Sequence, residues 1–167
     1  LSGEVAKKIL LETKEGAGCN LTGTSLTKID LSYTNLAEAK LLAVNLQGSN
    51  LTGSDLRFAD LTGANLRDAN LVRAMLDAAN LRDANLRRAN LFEANLGGTN
   101  LRNASLREAN LSGVTLHKAN IEGADLWYAN LKDVNLIGVE HFRGASLGYT
   151  KFCNITMPII KTNICFN

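Results

Sequence analysis

The side chains best suited to chemistry in this 167-residue chain are two histidines, three cysteines and a set of regularly spaced arginines. His117 and His141 lie far apart in sequence, and no carboxylate near His117 is placed to orient it as a catalytic base. The cysteines form no CxxC pair, and no phosphate-binding, zinc-protease or nucleophile-elbow motif occurs. We therefore expect a protein without catalytic residues, metal or cofactor.

The element that positions these side chains is governed by a repeat of five residues. Of the 24 positions reached in steps of five from Leu21 to Leu136, 23 are leucine and one is Ile121. The preceding residue is Asn or Asp in 19 cases, and the residue two before is Ala in 14. A helix would turn such a leucine stripe around its axis, and a strand would alternate it between faces. The repeat therefore predicts a chain that turns a corner about once per five residues, with leucine and alanine inward.

Two other residue types support a corner in each repeat. Nine of the 14 glycines fall two positions after a central residue, from Gly23 to Gly144, where a turn requires a positive φ. The Asn or Asp side chain before each centre can hydrogen-bond the backbone of its own corner.

The stretch from Cys19 to Val139, with runs such as 64–68 (ANLRD) and 84–88 (ANLRR), resembles the pentapeptide-repeat family. The resemblance implies an all-β fold, a right-handed quadrilateral β-helix with four repeats per coil. Coils stacked at the spacing of β-strands would lie about 4.8 Å apart. We divide the chain into an N-terminal capping helix at 1–18, the β-helix at 19–152 and a C-terminal cap at 153–167.

A helical cap is predicted at the N-terminus because an open coil end exposes unpaired backbone groups. Ser2 is a candidate N-cap, and Val5 and Ile9 form an apolar face with Ala6 and Leu10 beside them. Gly16 and Gly18 end the helix.

The repeat changes register near its C-terminal end. One extra residue within 137–141 interrupts the step of five, which resumes at Phe142, Leu147 and Phe152. The tail that follows leaves the repeat, and its apolar residues are expected to cover the second open end.

The segment 152–158, followed by Cys165, resembles the tails of cyanobacterial and plastid members of the family. In those tails the two cysteines close a small loop. The resemblance implies a disulfide between Cys153 and Cys165, with Cys19 left as a free thiol. Such a bridge implies an oxidising compartment, a periplasm or a thylakoid lumen. Three reduced cysteines in a cytoplasmic protein are the alternative.

With four repeats per coil, several arginines fall into outward columns that end at aromatic residues. A neutral solubilising face is one interpretation of these columns, and a site for a partner or an anion is the other. The predicted interaction surface comprises Arg67, Arg82, Arg87, Arg88, Arg102, Arg107, Trp127 and Tyr128.

These observations favour a non-enzymatic, monomeric scaffold that presents a rigid surface to a protein partner. DNA mimicry, known for family members that bind a topoisomerase, needs a strongly negative rod, whereas this chain has a net charge of +2. Weak binding of anions or nucleic acid through the arginines is a further alternative, although charge is balanced and aromatics are few. Ice binding would need unbroken threonine ladders, and Leu42 interrupts Thr22 and Thr62. No apolar run approaches the roughly 20 residues of a membrane span.

Overall fold

Parallel β-bridges join residues 20 positions apart throughout most of the computed structural model, which describes residues 3–156. They begin at Glu15–Asn35 and recur every five residues as far as Asn120–Glu140. An interval of 20 residues holds four repeats, so each coil has four sides and four corners. The repeat structure extends from Glu15 to Thr156, slightly beyond the expected limits of 19–152.

Two short helices accompany the bridged coils, one before them and one near their C-terminal end. Helix α1 spans Gly3–Thr13, and the 3-10 helix η1 spans Phe142–Gly144. All β structure in residues 3–156 consists of isolated bridges, one at the residue before each central leucine. Among these described residues, no helix is long and apolar enough to cross a bilayer.

Every corner from Leu21 to Gly138 is a four-residue turn whose third residue has a positive φ. In the corner that starts at Leu61, for example, the Ala64 N–H donates to the Leu61 carbonyl at 2.9 Å. A positive φ at the third residue alone is the signature of a type II turn, which explains why glycine recurs there. Non-glycine residues such as Asp68 (φ 59°) adopt the same conformation at a cost of roughly 1–2 kcal/mol. The Asp68 N–H donates to the Arg87 carbonyl of the next coil at 3.0 Å, which helps to hold the corner in this conformation.

The interior is a stack of leucines with alanines beside them. The central residues from Leu21 to Leu136 are at most 4% exposed, which confirms the predicted inward orientation. The alanines two positions earlier, such as Ala64 and Ala84, are equally buried. Small hydroxyl residues replace alanine in places, and Ser54 and Thr99 donate to leucine carbonyls at 2.8 Å.

Asparagine both closes its own corner and links neighbouring coils. The Asn80 Oδ1 accepts the Arg82 N–H at 3.3 Å, which is the corner bond expected from the sequence. The same oxygen accepts the Asn100 Nδ2 at 3.1 Å, while the Asn80 Nδ2 donates to the Asp60 Oδ1 at 3.3 Å. The second set of bonds is a ladder between coils, which explains why Asn outnumbers Asp at this position.

Helix α1 covers the N-terminal end of the leucine stack with only part of the predicted apolar face. Ala6 and Leu10 are buried, whereas Val5 and Ile9 are 45% and 40% exposed. Leu10 is buried because it packs closely against Gly16, where an added Cβ would lie 2.6 Å from the Leu10 Cδ1. The helix ends at Thr13, before the glycines assigned to this role, and Lys14 takes the positive φ. The proposed N-cap, Ser2, lies outside the described residues.

Two lysines cap the exposed edge of the first coil. The Lys7 Nζ donates to the Ser25 carbonyl at 2.7 Å, and the Lys14 Nζ donates to the Asp30 carbonyl at 2.5 Å. One coil later, the equivalent Asn45 carbonyl accepts a backbone N–H from the coil before it. Ser25 and Asp30 have no such preceding coil, so the ammonium groups replace the missing donors. These two carbonyls are thereby unavailable for pairing with a further strand.

The register changes near the C-terminal end as predicted. Beyond Glu140 the bridged residues are 21 apart, as in Asp125–Ser146. His141 (φ 54°) and helix η1 accommodate the extra residue. Gly144 therefore lies in a 3-10 helix and has no positive φ, so its assignment as a corner glycine was wrong. Phe142, Leu147 and Phe152 pack against the core as half-buried side chains. The tail after Thr156, including Cys165, lies outside the described residues.

Candidate interaction face

One side of the rod carries the arginines with the most regular spacing. This side, called here the arginine face, consists of the two outward residues that follow Leu66 and every central leucine at a 20-residue interval from it. The residues that directly follow these central leucines form its inner column, which contains Arg67, Arg87 and Arg107 and ends at Trp127. Because successive coils stack at the spacing of β-strands, neighbouring members of the column lie about 4.8 Å apart at the backbone. The residues two positions after the same leucines form its outer column, which contains Asp68, Arg88, Glu108 and Tyr128.

The inner column is less exposed than the sequence suggested. The side chains of Arg67, Arg87 and Arg107 are 40%, 43% and 40% exposed. The Nε atoms of Arg67 and Arg87 are buried and have no hydrogen-bond acceptor. The guanidinium groups therefore show only their outer parts to solvent, and their orientation is restricted by neighbouring coils.

Ion pairs connect the two columns. Arg88 binds Asp68 in a bidentate manner, with Nε–Oδ1 and Nη2–Oδ2 distances of 2.6 and 2.8 Å. These hydrogen bonds are the main reason that the pKa of Asp68 lies below its usual value. The Arg87 Nη2 donates to the Glu108 Oε1 at 2.8 Å. Each pair joins adjacent coils and holds the face in one arrangement.

The remaining arginines of the predicted surface are also paired. The Arg107 Nη1 lies 3.2 Å from the Asp125 Oδ2, and the Arg67 Nε lies 3.4 Å from the Asp68 Oδ2. Arg82 and Arg102 fall on the adjacent side of the rod, not on the arginine face. Their carboxylate partners are Asp83 at 3.2 Å and Glu122 at 3.4 Å. All six arginines thus contact a carboxylate. Arg82 and Arg102 are neutralised one to one, whereas the four arginines of the arginine face share three carboxylates.

The arginine face ends in a cluster of three aromatic side chains, called here the aromatic cluster: Trp127, Tyr128 and Tyr149. The tyrosine rings are stacked with centroids 5.0 Å apart and planes within 4°. Trp127 meets both edge to face, at 6.1 and 5.8 Å. Tyr128 and Tyr149 are 50% and 67% exposed. The cluster is therefore an ordered apolar surface that faces solvent.

Sequence reasoning missed Tyr149 because a strict 20-residue interval from Tyr128 reaches Gly148. The extra residue near His141 moves the equivalent position to 149. The signal was present, since Tyr149 lies two after Leu147 as Tyr128 lies two after Leu126.

Several contacts fix the orientation of Trp127. Its Nε1 donates to the Ser146 Oγ at 2.6 Å, and its ring covers Gly148. The Arg107 guanidinium carbon lies 5.6 Å from the ring centroid, within the range of a cation–π contact. Arg107 thus joins the charged and aromatic parts of the face.

The other candidate residues do not form a site within residues 3–156. No group of three or more potential metal ligands occurs in that range. His117 is exposed, with its ring over Gly138, and His141 lies in the inserted segment. Cys19 is a free, half-buried cysteine, and burial raises the pKa of its thiol. Because Cys165 lies outside the described residues, its pairing with Cys153 stays a prediction.

The leucine stack, the positive-φ corners and the 20-residue coils together define a pentapeptide-repeat solenoid. The family model for pentapeptide repeats matches eight copies, across residues 19–57, 54–91, 89–127 and 116–157. The chain belongs to the pentapeptide-repeat family.

Among solved structures, the chain is similar to alr5209, a pentapeptide repeat protein from Nostoc PCC 7120. The identity is 35% over 59% of this chain and 79% of that one, with a TM-score of 0.52. Rfr23 from the cyanobacterium Cyanothece 51142 is 27% identical over 86% of this chain and 97% of that one (TM-score 0.46). A pentapeptide repeat protein from the Arabidopsis thaliana thylakoid lumen, AT2G44920, is 25% identical over 80% and 75% of the two chains (TM-score 0.34). Comparison with curated proteins finds no significant match.

Proposed function

We propose that this protein is a non-enzymatic scaffold whose arginine face and aromatic cluster bind a protein partner. The observation that carries the proposal is the aromatic cluster. The repeat fills its interior with leucine and alanine, yet Trp127, Tyr128 and Tyr149 gather on the outside. Tryptophan, tyrosine and arginine are the residues most enriched where protein interfaces gain their binding energy.

The rigidity of the face supports the same proposal. Binding costs less free energy when the participating side chains are ordered beforehand. On the arginine face, Arg87 and Arg88 are held by carboxylates, and Trp127 is held by Ser146 and Gly148. A partner would therefore meet a surface already in one conformation.

The charge pattern disfavours the two alternatives that involve nucleic acid. A mimic of DNA needs a long negative surface, whereas the arginine face carries both signs in pairs. Binding of nucleic acid needs clustered cations without carboxylate partners, because each phosphate that a cation neutralises adds to the affinity. The carboxylates beside all six arginines reduce that effect.

We extend the proposal to a monomer whose coils are right-handed and which resides in a periplasm or thylakoid lumen. The likeness to the family supports the hand of the coil. The similarity of segment 152–158 and Cys165 to lumenal tails supports the compartment, because a disulfide there needs an oxidising environment.

Affinity capture with three matched baits tests the proposed function. The baits are the wild-type chain, a face variant with Arg87→Gln, Arg107→Gln and Trp127→Ser, and a control, Arg57→Gln. Arg57 lies on the opposite side of the rod and pairs with Asp55 of its own corner at 2.6 Å. We expect a partner that is retained by the wild type and the control and lost by the face variant. A partner retained equally by all three baits would place the binding surface elsewhere.

A further inference from the structure

We infer that the arginine face binds an extended protein segment in which a carboxylate side chain lies next to an aromatic or proline side chain. This inference rests on the proposed function and specifies the chemistry of the partner. Three features of the face support it: an excess of hydrogen-bond donors, the spacing of the arginines, and the position of the aromatic cluster.

The donors of the face exceed its acceptors. A guanidinium group has five N–H donors, and the ion pairs described above engage only one nitrogen each of Arg87 and Arg107. The acceptors are more fully used. Both oxygens of Asp68 accept from Arg88, while Asp125 accepts from Arg107 and from the Trp127 backbone N–H. The face therefore selects a ligand that offers acceptors.

The spacing of the inner column favours a single carboxylate as that ligand. Arg87 and Arg107 belong to adjacent coils, about 4.8 Å apart at the backbone. One carboxylate has two oxygens and can receive a hydrogen bond from each of two neighbouring guanidinium groups. A polyphosphate backbone would instead extend along the face and meet Asp68, Glu108 and Asp125. Charge complementarity thus favours an isolated acidic side chain over a nucleic acid.

The aromatic cluster determines what stands next to the carboxylate. Trp127 follows Arg107 in the same column, and the two side chains already contact each other. A carboxylate bound at Arg87 and Arg107 places a neighbouring side chain of the same segment over Trp127 and Tyr149. Flat or ring-shaped apolar groups cover aromatic rings best, so this neighbour is an aromatic residue or proline.

The chain provides its own reporter for this site, because Trp127 is its single tryptophan. Its fluorescence is measured while the 167-residue chain is titrated with a capped peptide, acetyl-Gly-Phe-Glu-Glu-Phe-Gly-amide. Three further probes are compared: the peptide with both glutamates replaced by lysine, the peptide with both phenylalanines replaced by alanine, and a ten-residue oligothymidine.

We expect a saturable change with the first peptide and at least tenfold weaker binding of the lysine and alanine peptides. Arg107→Gln should weaken binding at least tenfold, whereas Arg57→Gln on the opposite side should leave it unchanged. Equal binding of the glutamate and lysine peptides, tighter binding of the oligothymidine, or no saturable change up to millimolar peptide would each overturn the inference. If affinity capture still finds a partner lost by the face variant, the proposed function survives that failure.

Discussion

The indole ring of Trp127 lies over Gly148, so closely that a Cβ on this glycine would approach the indole Cε2 to 2.4 Å. Gly148 has no positive φ, so space rather than backbone conformation accounts for the glycine. His117 covers Gly138 in the same manner, with 2.6 Å between its Nδ1 and an added Cβ. The outward side chains of Trp127 and His117 thus extend over the next coil, where a glycine leaves the space that each ring occupies.

Replacement of Gly148 by alanine should displace Trp127 and disturb the aromatic cluster. The clash is with a rigid ring held by Ser146, so the indole has to move rather than bend. We expect a shift in the tryptophan emission maximum and weaker binding of the glutamate peptide. Gly97→Ala is the matched control, because Gly97 occupies the equivalent turn position and an added Cβ meets nothing closer than 3.3 Å. An unchanged spectrum in Gly148→Ala would contradict the described position of the ring.

A charge in the leucine stack should prevent folding. Leu86 is fully buried, and Leu86→Arg would place a guanidinium among leucines without a partner for its charge. We expect loss of cooperative thermal unfolding and of the native circular dichroism spectrum. Leu86→Ile, which keeps the volume, should reduce stability by less than about 1.5 kcal/mol. A Leu86→Arg protein as stable as the wild type would refute the inward assignment.

The stack and its corners could be predicted from the sequence because they depend on local periodicity. Leucine at every fifth residue leaves one way to bury all of them. Which part of the apolar face of helix α1 is buried could not be predicted, since Val5–Ile9 and Ala6–Leu10 lie side by side on it. The choice depends on the contact between Leu10 and Gly16, which belongs to the packed structure.

The candidate site was predictable only in part for a similar reason. Columns follow from the 20-residue coil, so Arg67, Arg87, Arg107 and Trp127 could be aligned in advance. The ion pairs depend on side-chain rotamers, and Tyr149 depends on how helix η1 absorbs an extra residue.

The arginines of the inner column should contribute little to the stability of the fold. Ion pairs between partly exposed side chains contribute about 0–1 kcal/mol each, because solvent screens the charges. Replacement of Arg67, Arg87 and Arg107 by glutamine should therefore lower the free energy of unfolding by less than about 2 kcal/mol, as measured by urea denaturation. A greater loss would show that the column supports the fold, and that the effects of the face variant on binding are indirect.

Acid should weaken the link between Asp68 and Arg88. The Arg88 hydrogen bonds hold the pKa of Asp68 below its usual value of about 3.9. The stability from this pair is therefore present above about pH 4 and is lost as the pH falls through the lower, folded-state pKa. Asp68→Asn removes the titrating carboxyl and should reduce the decline of the melting temperature between pH 5 and pH 2. Arg88→Gln removes the guanidinium that lowers the pKa of Asp68 and should reduce the decline as well. The idea fails if both variants lose stability in acid as steeply as the wild type.

The cysteines provide a test of the C-terminal tail and of the compartment together. The predicted bridge between Cys153 and Cys165 would close a loop 12 residues long, worth roughly 3 kcal/mol in the chain-entropy model. Cys19 is free in the structure, so thiol titration of the denatured, unreduced protein should find one thiol. Cys19→Ser should then leave none, and reduction of the wild type should reveal three. Three thiols in unreduced protein purified from its native compartment would reject the bridge, and with it the proposed periplasmic or lumenal location.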